Sequence, residues 1–234
     1  MKTQTSDSPA FDAGQYIQEK LLAHKDEYIL LLVAGGSALN VLEYIDGSKL
    51  NSKVTLATTD ERFTHEAKGN NFVQLQTTNF YKDAREVGVQ CINSKPQITD
   101  THESFTKRLT LAFEDYYKTH SNSYTIGIFG IGEDGHTASI FPTSESEYIS
   151  KYGNGALYVS LVNSSLQYAY RTTITPSFIE EKIDDVVLYA TGNTKCDNIL
   201  NYMHNRNFNH YQIPALIPAQ HQQSILFTDC YTLL

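Results

Sequence analysis

Tyr28-Ile-Leu-Leu-Leu-Val-Ala34-Gly35-Gly36-Ser37 is the stretch whose reading decides the fold. Seven apolar residues run without alternation and stop at two glycines. A strand with one wet face alternates apolar and polar side chains. An unbroken run of this length predicts a strand buried on both faces, as in a parallel sheet. Helical patterning resumes over Ala38 to Ile45. Strand, tight turn and helix in that order open a βαβ unit.

The same alternation extends outward in both directions. Phe11 to Asp26 reads as a helix ahead of the first strand. Lys53 to Thr58 reads as a second strand, and Tyr124-Thr-Ile-Gly-Ile-Phe129 as a third, central one. Asn70 to Tyr81 and Thr101 to Tyr117 read as helices; the latter carries Phe105, Leu109, Ala112, Phe113 and Tyr116 along one face. Ala156 to Val162, Thr172 to Ile174, Asp185 to Thr191 and Gln223 to Thr228 are further strand candidates, and Pro176 to Lys182 and Thr194 to His204 further helices. The pattern predicts an α/β fold: one domain over residues 1–234, doubly wound and Rossmann-like, with a mostly parallel sheet flanked by helices. Ligands of such sheets sit beyond the C-terminal strand ends, where the strand order reverses.

Composition narrows the function. Of 234 residues, 18 are basic and 26 acidic, for a formal net charge of −8. That balance argues against a general nucleic-acid binder. It leaves room for an anionic small molecule, which a few local cations and a helix N-terminus can hold. The segment Met1 to Ala10 is polar and lacks the apolar core of a signal peptide. The longest apolar run falls far short of the roughly 20 residues of a membrane helix. Cys91, Cys196 and Cys230 are odd in number, far apart and form no CxxC pair. Their spacing predicts neither a disulfide framework nor a zinc site, and a cytoplasmic location.

Unusual polar clusters fall just after strands. Gly35-Gly36-Ser37 allows close backbone approach to an anion at a helix start, with Ser37 as a cap or a hydroxyl donor. Read alone, it is equally an ordinary tight turn. Asp60-Glu61-Arg62 offers an acceptor and a guanidinium fork from one loop, or a plain surface ion pair. Phe129-Gly-Ile-Gly132-Glu-Asp134-Gly135-His136-Thr137-Ala138-Ser139-Ile140-Phe141-Pro142 is the decisive cluster. Three glycines precede a histidine with a carboxylate two residues before it. His136 is placed as a general base, and Asp134 can set its tautomer. Arg171 and Lys195 each stand beside small polar residues at a strand boundary. A cation at a helix start, as Lys195 is read, is disfavoured unless an anion is present. The remaining histidines read as solvated, with His65 near the second cluster.

The His136 stretch resembles the signature of the 6-phosphogluconolactonases. The Gly-Gly-Ser turn at 35–37, Asp60-Glu61-Arg62, Arg171-x-Thr173 and Gly192-x-x-Lys195 follow in the order that family shows. The resemblance covers residues 28–229. Ser37-Ala38 replaces the family's usual Thr-Pro, and Asn70-Asn71 its usual Ser-Asn. The resemblance implies hydrolysis of a phosphorylated sugar lactone in the oxidative pentose phosphate pathway, with no metal and no organic cofactor. On that reading His136 activates water, Asp134 or Asp60 supports the imidazole, and Arg62, Arg171 and Lys195 hold the phosphate. The Gly35-Gly36 N–H groups then serve either the oxyanion or the phosphate. The related aminosugar-phosphate deaminase/isomerases share an Asp-Gly-His loop but typically continue it differently, which favours the lactonase. A non-catalytic sugar-phosphate sensor on the same fold is the other alternative.

Overall fold

The computed structural model describes residues 1–163, 165–192, 195, 196 and 208–231. In chain order the elements are β1 (Lys2–Thr5), α1 (Pro9–Ala23), β2 (Ile29–Val33), a 3₁₀ helix (Gly36–Tyr44), β3 (Val54–Thr58), β4 (Asp60–Arg62), α2 (Asn71–Thr77), α3 (Asn79–Glu86) and β5 (Gln90–Cys91). There follow α4 (His102–Thr119), β6 (Tyr124–Gly130), α5 (Glu145–Tyr152), β7 (Tyr158–Val162), β8 (Tyr170–Ile174), α6 (Pro176–Lys182), β9 (Asp185–Ala190), a short helix (Leu216–Gln220) and β10 (Ser224–Thr228).

β2 is buried on both sides, as its unbroken apolar run predicts. Leu30 and Leu32 face one core, with Phe105 and Phe113 of α4 and Phe178 of α6. Ile29, Leu31 and Val33 face the other, with Ile17 and Leu21 of α1, Val41 of the 3₁₀ helix and Phe72 of α2. Each such side chain, fully buried, contributes about 1.5–3 kcal/mol. Helices on both faces of the sheet follow from that two-sided apolarity.

The large sheet has seven strands in the order β1-β10-β9-β6-β2-β3-β5. Every neighbouring pair is parallel. The chain runs outward from β2 through β3 to β5, then returns to place β6 on the other side of β2. The strand order therefore reverses between β2 and β6, and the loops after these two strands open a crevice there.

Several expectations are refined. Residues 156–162 and 172–174 are strands, but they belong to a second, antiparallel sheet, β4-β8-β7. β4 starts one residue after β3 ends, so the chain passes from one sheet to the other at Thr59. The stretch 70–81 is two helices. Thr78 is extended and its side chain accepts the N–H of Tyr81, ending α2 and capping α3. The edge strand β1 is polar and mostly exposed, so no apolar pattern announces it. The helix expected over 194–204 lies outside the described residues, apart from Lys195 and Cys196.

One expectation fails. Cys196 and Cys230 form a disulfide, with Cα atoms 5.3 Å apart. Sequence spacing concealed this because β9 and β10 are parallel neighbours, which brings the segments after their C-terminal ends together. Cys91 is free. Among the described residues no helix is long and apolar enough to cross a membrane.

Candidate active site

A cavity of about 240 Å³ opens at the strand reversal. Gly35, Gly36 and Ser37 line it from the end of β2, and Gly130, Gly132 and His136 from the end of β6. Asp60 and Arg62 of β4, Arg171 of β8, Asn71 and Lys195 complete the wall. The structure thus brings Gly35, Gly36, Ser37, Asp60, Arg62, His136, Arg171 and Lys195 to one place. Asp134 stands behind His136.

The loop after β6 is built around the imidazole. Asp134 Oδ1 accepts the backbone N–H of His136 at 3.0 Å and lies 2.5 Å from its Nδ1. A carboxylate can only accept here, so Nδ1 donates. Burial opposes ionisation of Asp134, but the hydrogen bond and charge of His136 outweigh it and hold its carboxyl below the usual carboxylate value. A Cβ on Gly132 would sit 2.1 Å from Nδ1, so only glycine admits the ring. The loop is closed by the N–H of Gly132 on the carbonyl of His136. Ala138 adopts φ 49°, the one non-glycine with positive φ among the described residues. That conformation costs about 1–3 kcal/mol and is held only where its surroundings enforce it.

The opposite wall is cationic. In the β4–β8 pairing Arg62 lies directly across from Arg171. Like charges so placed repel. Burial and the neighbouring Arg62 together lower the pKa of Arg171, with Asp60 and Glu61 opposing. Arg62 Nη1 donates to the carbonyl of Gly69, while its Nε is buried with no hydrogen-bond partner among the described residues. A buried guanidinium N–H left without an acceptor is costly.

Between the two walls lies a buried polar web that sequence reading did not resolve. Ser139 Oγ donates to Asp60 Oδ2 at 2.5 Å, and Asn71 Nδ2 donates to the carbonyl of Asp60 at 3.0 Å. Asn71 also packs against Gly35, where a Cβ would meet its Oδ1 at 2.1 Å. Glu61 is fully buried. It accepts the N–H groups of Arg62, Asn71 and Phe72 and the hydroxyl of Ser94. Burial pushes its carboxyl up to about 8 against the pull of those backbone donors. His102, read from sequence as merely solvated, donates from Nε2 to the carbonyl of Arg171 at 3.0 Å. Burial lowers its pKa, which keeps the ring neutral for that role. Asp60 and Glu61 stood in the Asp60-Glu61-Arg62 cluster, Asn71 in the Asn70-Asn71 pair and Ser139 in the His136 stretch, whereas Ser94 and His102 carried no signal.

Two expectations change. Gly35, not Ser37, occupies the cap position of the 3₁₀ helix, and no side chain caps it. Ser37 lies on the pocket wall instead. His65 lies beside Phe63, outside the pocket. A larger cavity of about 940 Å³, between the 3₁₀ helix and the α2–α3 junction, is lined by Glu43, Asp46 and Asp83 and by no cation. It is unsuited to an anionic ligand.

The large parallel sheet, flanked by helices and opening a polar cavity at its strand reversal, defines a doubly wound α/β protein. The family model described as glucosamine-6-phosphate isomerases/6-phosphogluconolactonase matches residues 5–227, and the chain belongs to that family. Among solved structures it is similar to a 6-phosphogluconolactonase from Shewanella baltica, with a TM-score of 0.77 at 20% identity over 97% of this chain and 96% of that one. It is also similar to the 6-phosphogluconolactonase of Trypanosoma brucei (TM-score 0.73, 14% identity, 100% and 98% covered) and that of Thermotoga maritima (0.71, 18%, 97% and 98%). At these identities the likeness shows a shared fold. No curated protein matches the sequence.

Proposed function

We propose that this chain hydrolyses 6-phospho-D-glucono-1,5-lactone to 6-phospho-D-gluconate, a step of the oxidative pentose phosphate pathway. The observation that carries the reading is one small cavity lined by Arg62, Arg171 and His136, the last held by Asp134. A substrate with a phosphate at one end and an ester carbonyl at the other fits that arrangement. The similar solved structures carry the name of this activity.

In the proposed mechanism His136 Nε2 takes a proton from water as its oxygen attacks the lactone carbonyl. Asp134 holds the imidazole and stabilises the imidazolium that forms. The tetrahedral intermediate collapses by expelling the ring oxygen, which takes the proton back from His136. Backbone N–H groups of Gly35 and Gly36 stabilise the oxyanion or the phosphate. Arg62, Arg171 and Lys195 hold the phosphate. Asp60, fixed by Ser139 and Asn71, sets the negative side of the pocket. No step calls on a metal or an organic cofactor. The cytoplasmic location rests on this pathway reading alone, because the cysteine argument no longer supports it.

The test is hydrolysis of the phosphorylated lactone and of the unphosphorylated one, each corrected for spontaneous opening. Two charge-assisted contacts predict a preference of about 10²-fold or more in kcat/KM for the phosphorylated substrate. Equal rates would sink the anion assignment. His136→Ala should lower kcat by about 10²–10⁴-fold; wild-type turnover would remove His136 as the base. Release of ammonia from glucosamine 6-phosphate would instead mark a deaminase.

A further inference from the structure

We infer that the Cys196–Cys230 disulfide is a redox-sensitive site that sets the position of Lys195 and so the affinity for the substrate's phosphate. The inference rests on the reading of Lys195 as a phosphate contact.

Cys196 directly follows Lys195, whose side chain lines the pocket. Both residues take their backbone N–H bonds from one carbonyl, that of Gly192, at 3.0 and 3.1 Å. The N–H of Gly192 donates in turn to the carboxylate of Asp229, 3.0 and 3.2 Å from its two oxygens. Cys230 follows Asp229. Gly192 and Cys196, on either side of Lys195 in the chain, are therefore tied to the end of β10 through the Asp229 carboxylate and the disulfide. Both ties converge, since each sulfur lies 3.9 Å from Asp229 Oδ1.

The sulfurs differ in access. Cys230 is buried, whereas Cys196 is partly exposed. A dithiol reductant would attack at Cys196 Sγ. The S–S bond breaks, the electron pair leaves on Cys230 Sγ, and that thiolate takes up a proton. The second thiol of the reductant then closes its own disulfide and frees Cys196 as a thiol. The Asp229 carboxylate disfavours a thiolate beside it, which resists reduction. Once reduced, both S–H groups compete with the Gly192 N–H for the same carboxylate. Reduction thus cuts one tie and weakens the other. Lys195 gains freedom, and ordering it again on phosphate binding costs affinity.

The test compares air-oxidised protein with protein reduced by dithiothreitol. Thiol titration after denaturation should find one thiol, Cys91, before reduction and three after. KM for the phosphorylated lactone should rise about 3- to 10-fold on reduction, part of the value of one charge-assisted contact. Hydrolysis of the unphosphorylated lactone should be unchanged. The double variant Cys196→Ser/Cys230→Ser should show the raised KM with or without dithiothreitol, and Cys91→Ser should respond as wild type does. Three thiols in the oxidised protein, or one KM under both conditions, overturns the switch. If Lys195→Ala raises KM while redox state does not, the phosphate reading stands and the switch alone fails. If Lys195→Ala leaves KM unchanged, both fail.

Discussion

Gly132 leaves room for the His136 ring at the cost of any side chain of its own. Gly132→Ala places a Cβ 2.1 Å from Nδ1, so the ring must move. A displacement of about 1 Å at a catalytic group costs about 10²-fold in rate. The variant should keep its thermal midpoint close to wild type and lose lactone hydrolysis by about that factor. Unimpaired turnover would show that the ring position is not critical. At this scale the legible residues were those in a patterned loop. Glycines, a carboxylate and a histidine in close order mark backbone turns and a proton path even on paper. His102 left no such mark, and the short motifs that hold Glu61 and Asn71 did not show what these two would bind. Each acts by reaching a partner distant in sequence, as His102 does to the carbonyl of Arg171, and a lone polar residue carries no sign of where it will reach.

Glu61 shows what one side chain does for whole elements. Its carboxylate binds β4 to the start of α2 through the N–H groups of Asn71 and Phe72, near the positive end of that helix. With a folded pKa of about 8 against an ordinary value of 4.5, the folded state holds this proton more tightly than the unfolded chain does. The stability linked to that proton is complete below about pH 4.5 and is lost as pH rises through 8, a change on the order of 5 kcal/mol. Glu61→Gln cannot titrate. Its amide N–H also leaves one backbone donor unmatched, at about 1–3 kcal/mol. The variant should be less stable than wild type at pH 5, with the difference shrinking towards pH 8 in urea unfolding. A gap that stays constant with pH would show that Glu61 is ionised throughout. Element types were largely legible because the two apolar periods, unbroken in strands and one-sided in helices, are local. Which sheet a strand joins is not local. Nothing in Thr172 to Ile174 distinguishes the antiparallel sheet from the parallel one.

Over the whole molecule, the net charge of −8 is compatible with the proposed anionic substrate because of where the cations lie. Arg62, Arg171 and Lys195 line the same small cavity. Distance along the chain was a poor guide here, as the cysteines demonstrate. Sequence separation between Cys196 and Cys230 is 34. Closing a loop of that length restricts the unfolded chain by about 4 kcal/mol in the entropic account. Oxidised protein should therefore melt several degrees above the Cys196→Ser/Cys230→Ser variant; equal midpoints would mean that the crosslink adds nothing to global stability. The two sheets have a further consequence. The His136 loop hangs from the large sheet, and the guanidinium pair from the small one. Thr59 alone joins β3 to β4, and its carbonyl is pinned by the N–H of Ile174, while the carbonyl of Thr58 is pinned by the hydroxyl of Tyr158. The span from base to anchor is thus fixed by how one sheet is set against the other. On the proposed function, a phosphorylated lactone one carbon shorter should lose kcat/KM, because a spacing set by two packed sheets cannot follow it.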